Sequence, residues 1–277
     1  MSLPGTYRGG MRILVTGATG NIGRMVVDHL VARGADDVRA LTTNPARARL
    51  PDGVEVAEGY LRRLETLPAA FAGVDRVYLA PVLETVTDAV RLAREAGVRH
   101  IVDLSGDETT EWQPITQAVE ASGLAWTHLY AGEFVENTAV WADQVRTTGE
   151  VREPYPDAAN APVAMDDIAR VAAAALLQDG HEGHTYTLTG PETMTRAERA
   201  RRLGVVLGRE LAFRQVSLDE AAAVLEPAMG EYARWYLEGF AGMADSPQSA
   251  TTTIADVTGS PATTFEQWAT ANVDAFR

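Results

Sequence analysis

The chain has 277 residues, 46% hydrophobic and 22% charged, which excludes a disordered chain and leaves room for one larger domain plus a smaller part. Acidic residues outnumber basic ones 38 to 24, and the net charge of −14 argues against a nucleic-acid reader. Cysteine is absent, so disulfides, thiolate nucleophiles and Cys-ligated metals are excluded. Met1–Gly10 carries no apolar core of a secretory signal and reads as a flexible tail, with order beginning near Met11. Met11–Thr16 is an apolar run ending at Gly17, a buried-strand pattern. Ile22, Val26 and Leu30 then recur at helical spacing up to Gly34. Strands follow at Val38–Thr42, Val54–Glu58 and Arg76–Ala80, and a helix at Thr85–Ala96 stopped by Gly97. His100–Ser105 reads as the fifth strand, Pro114–Ser122 as a helix and Ala125–Tyr130 as the sixth strand. Strands alternating with helices predict parallel βαβ units, hence an α/β Rossmann doubly wound sheet.

After Gly132 the rhythm loosens. Phe134–Val145 has helical spacing, Gly149–Ala161 reads as loop, and Asp166–Leu177 is an Ala-rich helix with Asp166 as its N-cap. Thr185–Leu188 is a last short strand. Three capping-box patterns, Thr195/Glu198, Ser217/Glu220 and Thr264/Gln267, each open a helical stretch. The expected division is therefore 11–190 as the dinucleotide-binding domain, with a substrate loop at about 132–162, and 191–277 as a mainly helical part completing the substrate pocket. The run Arg196, Arg199, Arg201, Arg202 reads as a solvated helix face. No apolar stretch approaches the roughly 20 residues that span a bilayer, and a cytoplasmic protein is expected. The five His residues are scattered, and no metal site is expected.

Gly17, Gly20 and Gly23 lie between the first strand and the first helix. That context suits a diphosphate: one glycine for the turn, one for close approach of backbone amides, one for helix–strand packing, with the helix N-terminus adding partial positive charge. Thr19, Asn21 and Ile22 complete the loop, and Thr19 and Asn21 offer side-chain donors. The spacing is GxxGxxG, and Met11–Gly23 resembles atypical short-chain dehydrogenases of the NmrA-like group, which includes type 2 NAD(P)H:quinone reductases. Val38–Pro45, Leu124–Asn137, Tyr186–Glu192 and the ending Phe265–Arg277 are similar to segments of the same group, so the likeness runs through nearly the whole chain after Met11.

The resemblance implies NADP or NAD as cofactor. NAD selection uses an acidic residue after the second strand and NADP selection an Arg. Thr42, Thr43 and Asn44 stand there instead, with Arg47 close enough in sequence to reach over or else solvated. The missing carboxylate tilts the reading to NADP. Tyr60 stands where the group often has an Asp near the adenine. Leu61, Ala80, Pro81, Val82, Ser105 and Gly132, after successive strands, fill out the expected cofactor contacts.

Typical short-chain dehydrogenases use Tyr-xxx-Lys as proton donor. All 24 basic residues here are Arg. Trp112 and Thr116 occupy the spacing of the Tyr and Lys, and neither is a competent acid. Ser105 is a candidate catalytic group that bonds a substrate carbonyl, or a strand-end residue contacting cofactor. Glu133 is a candidate proton shuttle or a solvated carboxylate. Trp112, Tyr130, Phe134, Asn137, Trp141 and Tyr155 are the expected substrate-binding set, while the stripe Tyr232, Trp235, Tyr236, Phe240 has the spacing of a core face. Reduction of a quinone leaves a phenolate-like anion whose conjugate acid has a pKa of about 10, so it needs no strong enzymic acid. The expected function is an NAD(P)H-dependent oxidoreductase of a quinone-like or polycyclic aromatic molecule, by analogy a tailoring step on an aromatic polyketide. The alternative is a non-catalytic NAD(P) sensor that binds a partner protein. A small aromatic substrate is expected as partner, no nucleic acid or membrane, and a homodimer is compatible.

Overall fold

The computed structural model describes residues 10–277; the expected tail, apart from Gly10, lies outside the described residues. The chain runs β1 (Ile13–Val15), α1 (Asn21–Ala32), β2 (Val38–Thr42), β3 (Glu55–Glu58), α2 (Leu67–Phe71), β4 (Arg76–Leu79), α3 (Val86–Glu95), β5 (His100–Ser105), α4 (Gln113–Ala121) and β6 (Ala125–Ala131). It continues through α5 (Ala142–Thr148), β7 (Glu150–Glu153), β8 (Ala159–Asn160), α6 (Met165–Leu177), β9 (His184–Leu188), β10 (Met194–Thr195), α7 (Arg196–Leu207), β11 (Ala212–Gln215), α8 (Leu218–Met229), α9 (Tyr232–Glu238), α10 (Thr253–Thr258) and α11 (Phe265–Ala271). Among the described residues no helix is long and apolar enough to cross a membrane.

Two compact units result. The first holds the chain through Ala131, Met165–Leu188 and Asp256–Gly259; the second holds Gly132–Ala164, Thr189–Ala255 and Ser260–Arg277. The segment 132–162, read from sequence as a loop of the dinucleotide-binding domain, thus packs with the C-terminal part.

In the first unit seven strands form one sheet in the order β3-β2-β1-β4-β5-β6-β9, every pair parallel. The inner strands β1, β2 and β5 are buried along their whole length, as expected for Val/Ile/Leu-rich strands covered on both faces. Leu14, Leu41, Phe71, Val77, Val90, Ile101 and Val119 form the core that α2, α3 and α4 share with one face of the sheet. On α6, Ala169 and Ala172 to Ala175 are all fully buried, and such small side chains let α1 and α6 approach closely. Asp166 lies inside the first turn of α6 rather than at its cap, and its carboxylate bonds His29 at 2.7 Å. Strand order reverses between β1 and β4, so a crevice opens at their carboxyl ends, where ligands of such sheets bind.

The second unit pairs β7 with β11 in parallel and β8 with β10 antiparallel. The pattern of Gly149–Ala161 predicts loop, yet β7 and β8 form there, and β10 and β11 have no local strand pattern either. Residues 135–141 form a 3-10 helix leading into α5, where one continuous helix was expected. Thr195, Ser217 and Thr264 each accept the N3 amide of the following helix, but only Thr264/Gln267 closes the reciprocal box, because Glu198 is drawn to Arg201 and Arg202.

Candidate functional site

The turn after β1 is built around its glycines. Gly17 has φ +59, and a Cβ there would meet Ala80 Cβ at 3.0 Å. Gly20 donates its N–H to the Gly17 carbonyl at 2.9 Å and is the N-cap of α1. Gly23 packs so tightly that a Cβ would stand 2.2 Å from the Gly17 carbonyl oxygen. The outcome is a crest at Gly17, Thr19, Gly20 and Asn21 that is exposed, above a buried Gly23. No side chain caps α1, so the first-turn amides of Asn21, Ile22 and Gly23 remain free of an intrahelical acceptor and are available to an anion.

Neighbouring strand ends brace this crest. Thr19 Oγ1 lies 3.1 Å from Thr42 Oγ1 at the end of β2. Thr16, which the sequence reading passed over, donates its hydroxyl to the Tyr78 carbonyl at 2.9 Å and accepts the Ala80 N–H at 2.8 Å. That one side chain ties β1 to β4 at the switch point. Thr43, Asn44 and Arg47 are exposed after β2, with Arg47 closing a short 3-10 turn at Pro45–Arg47 and no ion pair to it among the described residues. Tyr60 is exposed, Leu61 is buried, and Ala80, Pro81 and Val82 are half-buried. The geometry of the crest, an amide-lined turn that a side chain would fill, fits a dinucleotide diphosphate.

Ser105, at the end of β5, is buried and donates its hydroxyl to Asp103 Oδ1. Thr116 donates to the Gly106 carbonyl at 2.8 Å and lies 3.2 Å from the Tyr130 hydroxyl. Trp112 is half-buried and packs on the core of the first unit.

In the second unit the geometry corrects several expectations. Glu133 is not a solvated carboxylate. Its side chain is buried and accepts hydrogen bonds from Arg196 Nη1 (2.9 Å), Arg199 Nη1 (2.8 Å), Asn160 Nδ2 (2.8 Å) and the Tyr236 hydroxyl (2.6 Å). Burial would push its carboxyl up, but Arg199 and Arg196, with the bonds from Tyr236 and Asn160, hold it down at about 2. A group so held stays ionised and is unsuited to shuttling protons near neutrality. The same arginines correct the solvated-face reading: Arg196 and Arg199, three apart at the start of α7, are fully buried, while Arg201 and Arg202 keep to the outside with Glu198 and Glu192. Trp141 is a core residue rather than a substrate contact. It is fully buried, its Nε1–H bonds Glu153 at 2.6 Å, and Arg196 lies 4.8 Å from its ring centroid. Glu153 accepts Arg196 through both carboxylate oxygens, so two arginines face two carboxylates.

Beside this cluster lies a cavity of 470 Å³ lined by Phe134, Asn137, Trp235, Tyr236, Phe240 and Met243, with Gly132, Glu133, Asn160 and Gln248. Phe134 and Asn137 were expected to meet substrate and do line it. Tyr155 lines a separate cavity of 170 Å³ with Pro154 and Gln215. Trp112 and Tyr130 belong to the first unit. The aromatic stripe of α9 and its extension splits: Tyr236 and Phe240 are buried, whereas Tyr232 and Trp235 are 64% and 55% exposed. The Arg196, Asn160, Met243 and Gln248 contributions were missed, since each depends on chain segments far apart in sequence.

Residues 10–244 match the NmrA-like family. The chain belongs to that family. This NmrA-like protein is 38% identical to a (4-alkanoyl-5-oxo-2,5-dihydrofuran-3-yl)methyl phosphate reductase of Streptomyces griseus, over 95% of this chain and 99% of the relative. It is 35% identical to an NAD(P)H azoreductase of Xenophilus azovorans, with the same coverage. Among solved structures, an NADPH-dependent quinone oxidoreductase of Escherichia coli complexed with NADPH shares the fold, with a TM-score of 0.85 at 23% identity over 94% of this chain and 99% of that one.

Proposed function

We propose that this NmrA-like chain is an NAD(P)H-dependent reductase that transfers a hydride to a small conjugated acceptor without a tyrosine–lysine dyad. The observation that carries the reading is the exposed amide crest at Gly17–Asn21 in a chain 38% identical, end to end, to a named reductase. The dinucleotide supplies the hydride when bound. The chain supplies the cradle: amides of the α1 N-terminus for the diphosphate, and Thr19, Thr42, Thr43, Asn44 and Arg47 toward the adenosine ribose. No carboxylate follows β2 directly to repel a 2′-phosphate, which favours NADPH.

The acceptor class follows from chemistry the relatives' names share. A butenolide whose ring C=C bears two carbonyls on one carbon, an azo bond and a quinone all spread the charge left by hydride addition over a π system. Such anions need hydrogen bonds more than a strong acid, in keeping with a chain that has no Lys. Within the second unit, the cavity at Phe134, Trp235, Tyr236 and Phe240 is mainly apolar, with Asn137 and Gln248 as polar groups on its lining.

The test is oxidation of NADPH and NADH, followed at the nicotinamide absorbance band, against a panel of naphthoquinones, azo dyes and acyl butenolides. Turnover of at least one acceptor is expected, faster with NADPH. Dinucleotide binding with no turnover of any acceptor would favour a sensor that acts through a partner protein.

A further inference from the structure

Ser105, Asp103, His128 and Glu120 form a line of polar side chains through the first unit. Register places Asp103 beside His128 and Ser105 beside Tyr130 on one face of β5 and β6. Ser105 Oγ bonds Asp103 Oδ1, and His128 Nδ1 bonds Asp103 Oδ2 at 2.8 Å. His128 Nε2 faces Glu120 Oε1 at 3.7 Å, too long for a hydrogen bond, and has no other partner among the described residues. Asp103 and His128 are wholly inaccessible, whereas the Glu120 side chain is half-exposed. Helix α4 sets Thr116 and Glu120 one turn apart, over Tyr130 and His128. Trp126 stacks on His128 at 4.2 Å and Tyr130 at 6.1 Å between ring centroids.

Two features separate this line from a simple structural pair. A buried imidazole nitrogen without a partner is costly, and a pair serving only packing gains nothing from it. The four groups also connect a strand's carboxyl end, where ligands of this fold bind, to solvent. Burial pushes the Asp103 carboxyl up, against the bonds from His128 and Ser105. Tyr78 on β4 and Tyr130 are further titratable groups near Asp103, and burial pushes both upward.

We infer that Ser105, Asp103, His128 and Glu120 form a proton path that delivers a proton from solvent to the anion of a reduced acceptor beside Ser105. The inference rests on the reductase reading. Once reduction has left a negative charge on the acceptor, Ser105 gives it the hydroxyl proton. In the working state the Ser105–Asp103 bond, which Ser105 donates when the carboxylate is ionised, is donated by a protonated Oδ1; Asp103 passes that proton to Ser105 Oγ and takes the Nδ1 proton of His128 on Oδ2. His128 takes a proton at Nε2 from solvent by way of Glu120, whose half-exposed side chain first closes the 3.7 Å gap. One proton moves from water to product; each side chain keeps its proton count, and rotation of the Asp103 carboxyl and of the His128 ring restores the starting positions.

The first measurement needs no turnover. The infrared difference spectrum of wild type minus Asp103→Asn, on protein without cofactor at pH 7, is expected to show the C=O band of one protonated carboxyl, shifted in D2O; its absence overturns the path. The second uses His128→Asn, which keeps an amide donor toward Asp103 but cannot pass a proton. The maximal rate is expected to fall about tenfold or more for quinones that give weakly acidic quinols, and little for those giving acidic ones. Dinucleotide affinity by calorimetry should hold. An equal loss over all acceptors, or none, overturns the path while leaving the reductase reading in place. Should His128→Asn fail to fold, Glu120→Gln carries the same graded test at about threefold, and a flat response there overturns it as well. If wild type reduces no acceptor, the reductase reading falls and takes the path with it.

Discussion

Substituting Gly23 by Ala tests the diphosphate cradle at its tightest point. The residue sits in α1 with helical backbone, so Ala introduces no backbone strain and by propensity alone stabilises the helix by about 1 kcal/mol. Its Cβ, however, would stand 2.2 Å from the Gly17 carbonyl oxygen, 2.7 Å from the Gly17 carbonyl carbon and 3.2 Å from Ala18 Cα. Ordinary contact begins near 3.4 Å, so the turn must retreat about 1.2 Å from the helix. Every neighbour is backbone, and none of it can rotate aside. Overpacking of this kind costs about 1–3 kcal/mol, which leaves a net loss of stability of about 1 kcal/mol. The larger effect falls on ligand binding. A phosphate bond of about 2.9 Å stretched by the retreat passes the hydrogen-bond limit, and losing one bond to a charged group weakens binding by about ten- to a hundredfold. The assay is calorimetric titration with NADPH, beside urea denaturation. Gly34→Ala is the control: its φ is +82 with open space around it, so it should cost about 1 kcal/mol of stability and nothing in dinucleotide affinity. Unchanged NADPH affinity in Gly23→Ala would refute the assignment of the crest.

Three further outcomes are expected. Glu133→Gln leaves Arg196 and Arg199 facing one carboxylate instead of two in a buried cluster, and should lower stability by about 3–5 kcal/mol in urea denaturation; a change below 1 kcal/mol would show that solvent reaches the cluster. His100 is buried and bonded to Thr127, and burial, with Arg76 adding to it, pulls its pKa down to about 4. Its unfolded value near 6.5 is higher, so its contribution is complete above pH 6.5 and is lost as pH falls toward 4, about 3 kcal/mol in all. His100→Gln should flatten the stability curve across that window, and an unaltered slope would exclude His100 as the cause. Arg47→Ala should weaken NADPH about tenfold while sparing NADH; equal effects on the two coenzymes would remove Arg47 from the 2′-phosphate.

Local patterning carried the first unit. The strands β2 and β5 begin and end where alternation of apolar runs and turn residues put them, because a strand covered on both faces must be apolar along its length. The glycine turn was legible for a similar reason: at Gly17 and Gly23 the backbone leaves no room for a side chain, and that demand is written in the residue type itself. Thr16 was passed over because a hydroxyl that bridges two strand ends looks, in sequence, like any strand-end threonine.

In the second unit sequence and structure part company. β7 finds its partner in β11 some sixty residues later, and no local pattern announces a pairing that distant. Four arginines in one run divide two inward and two outward, because burying a guanidinium requires carboxylates, and Glu133 and Glu153 arrive from elsewhere in the chain. Composition and spacing alone determined a parallel α/β sheet, a lysine-free chain and an amide-lined turn fit for a diphosphate. Only tertiary structure decided which charges are buried in pairs, which aromatics wall a cavity, and that Asp103 meets both Ser105 and His128. Those outcomes depend on desolvation and pairing between segments that sequence keeps apart, and the energies concerned exist only once the chain has closed around them.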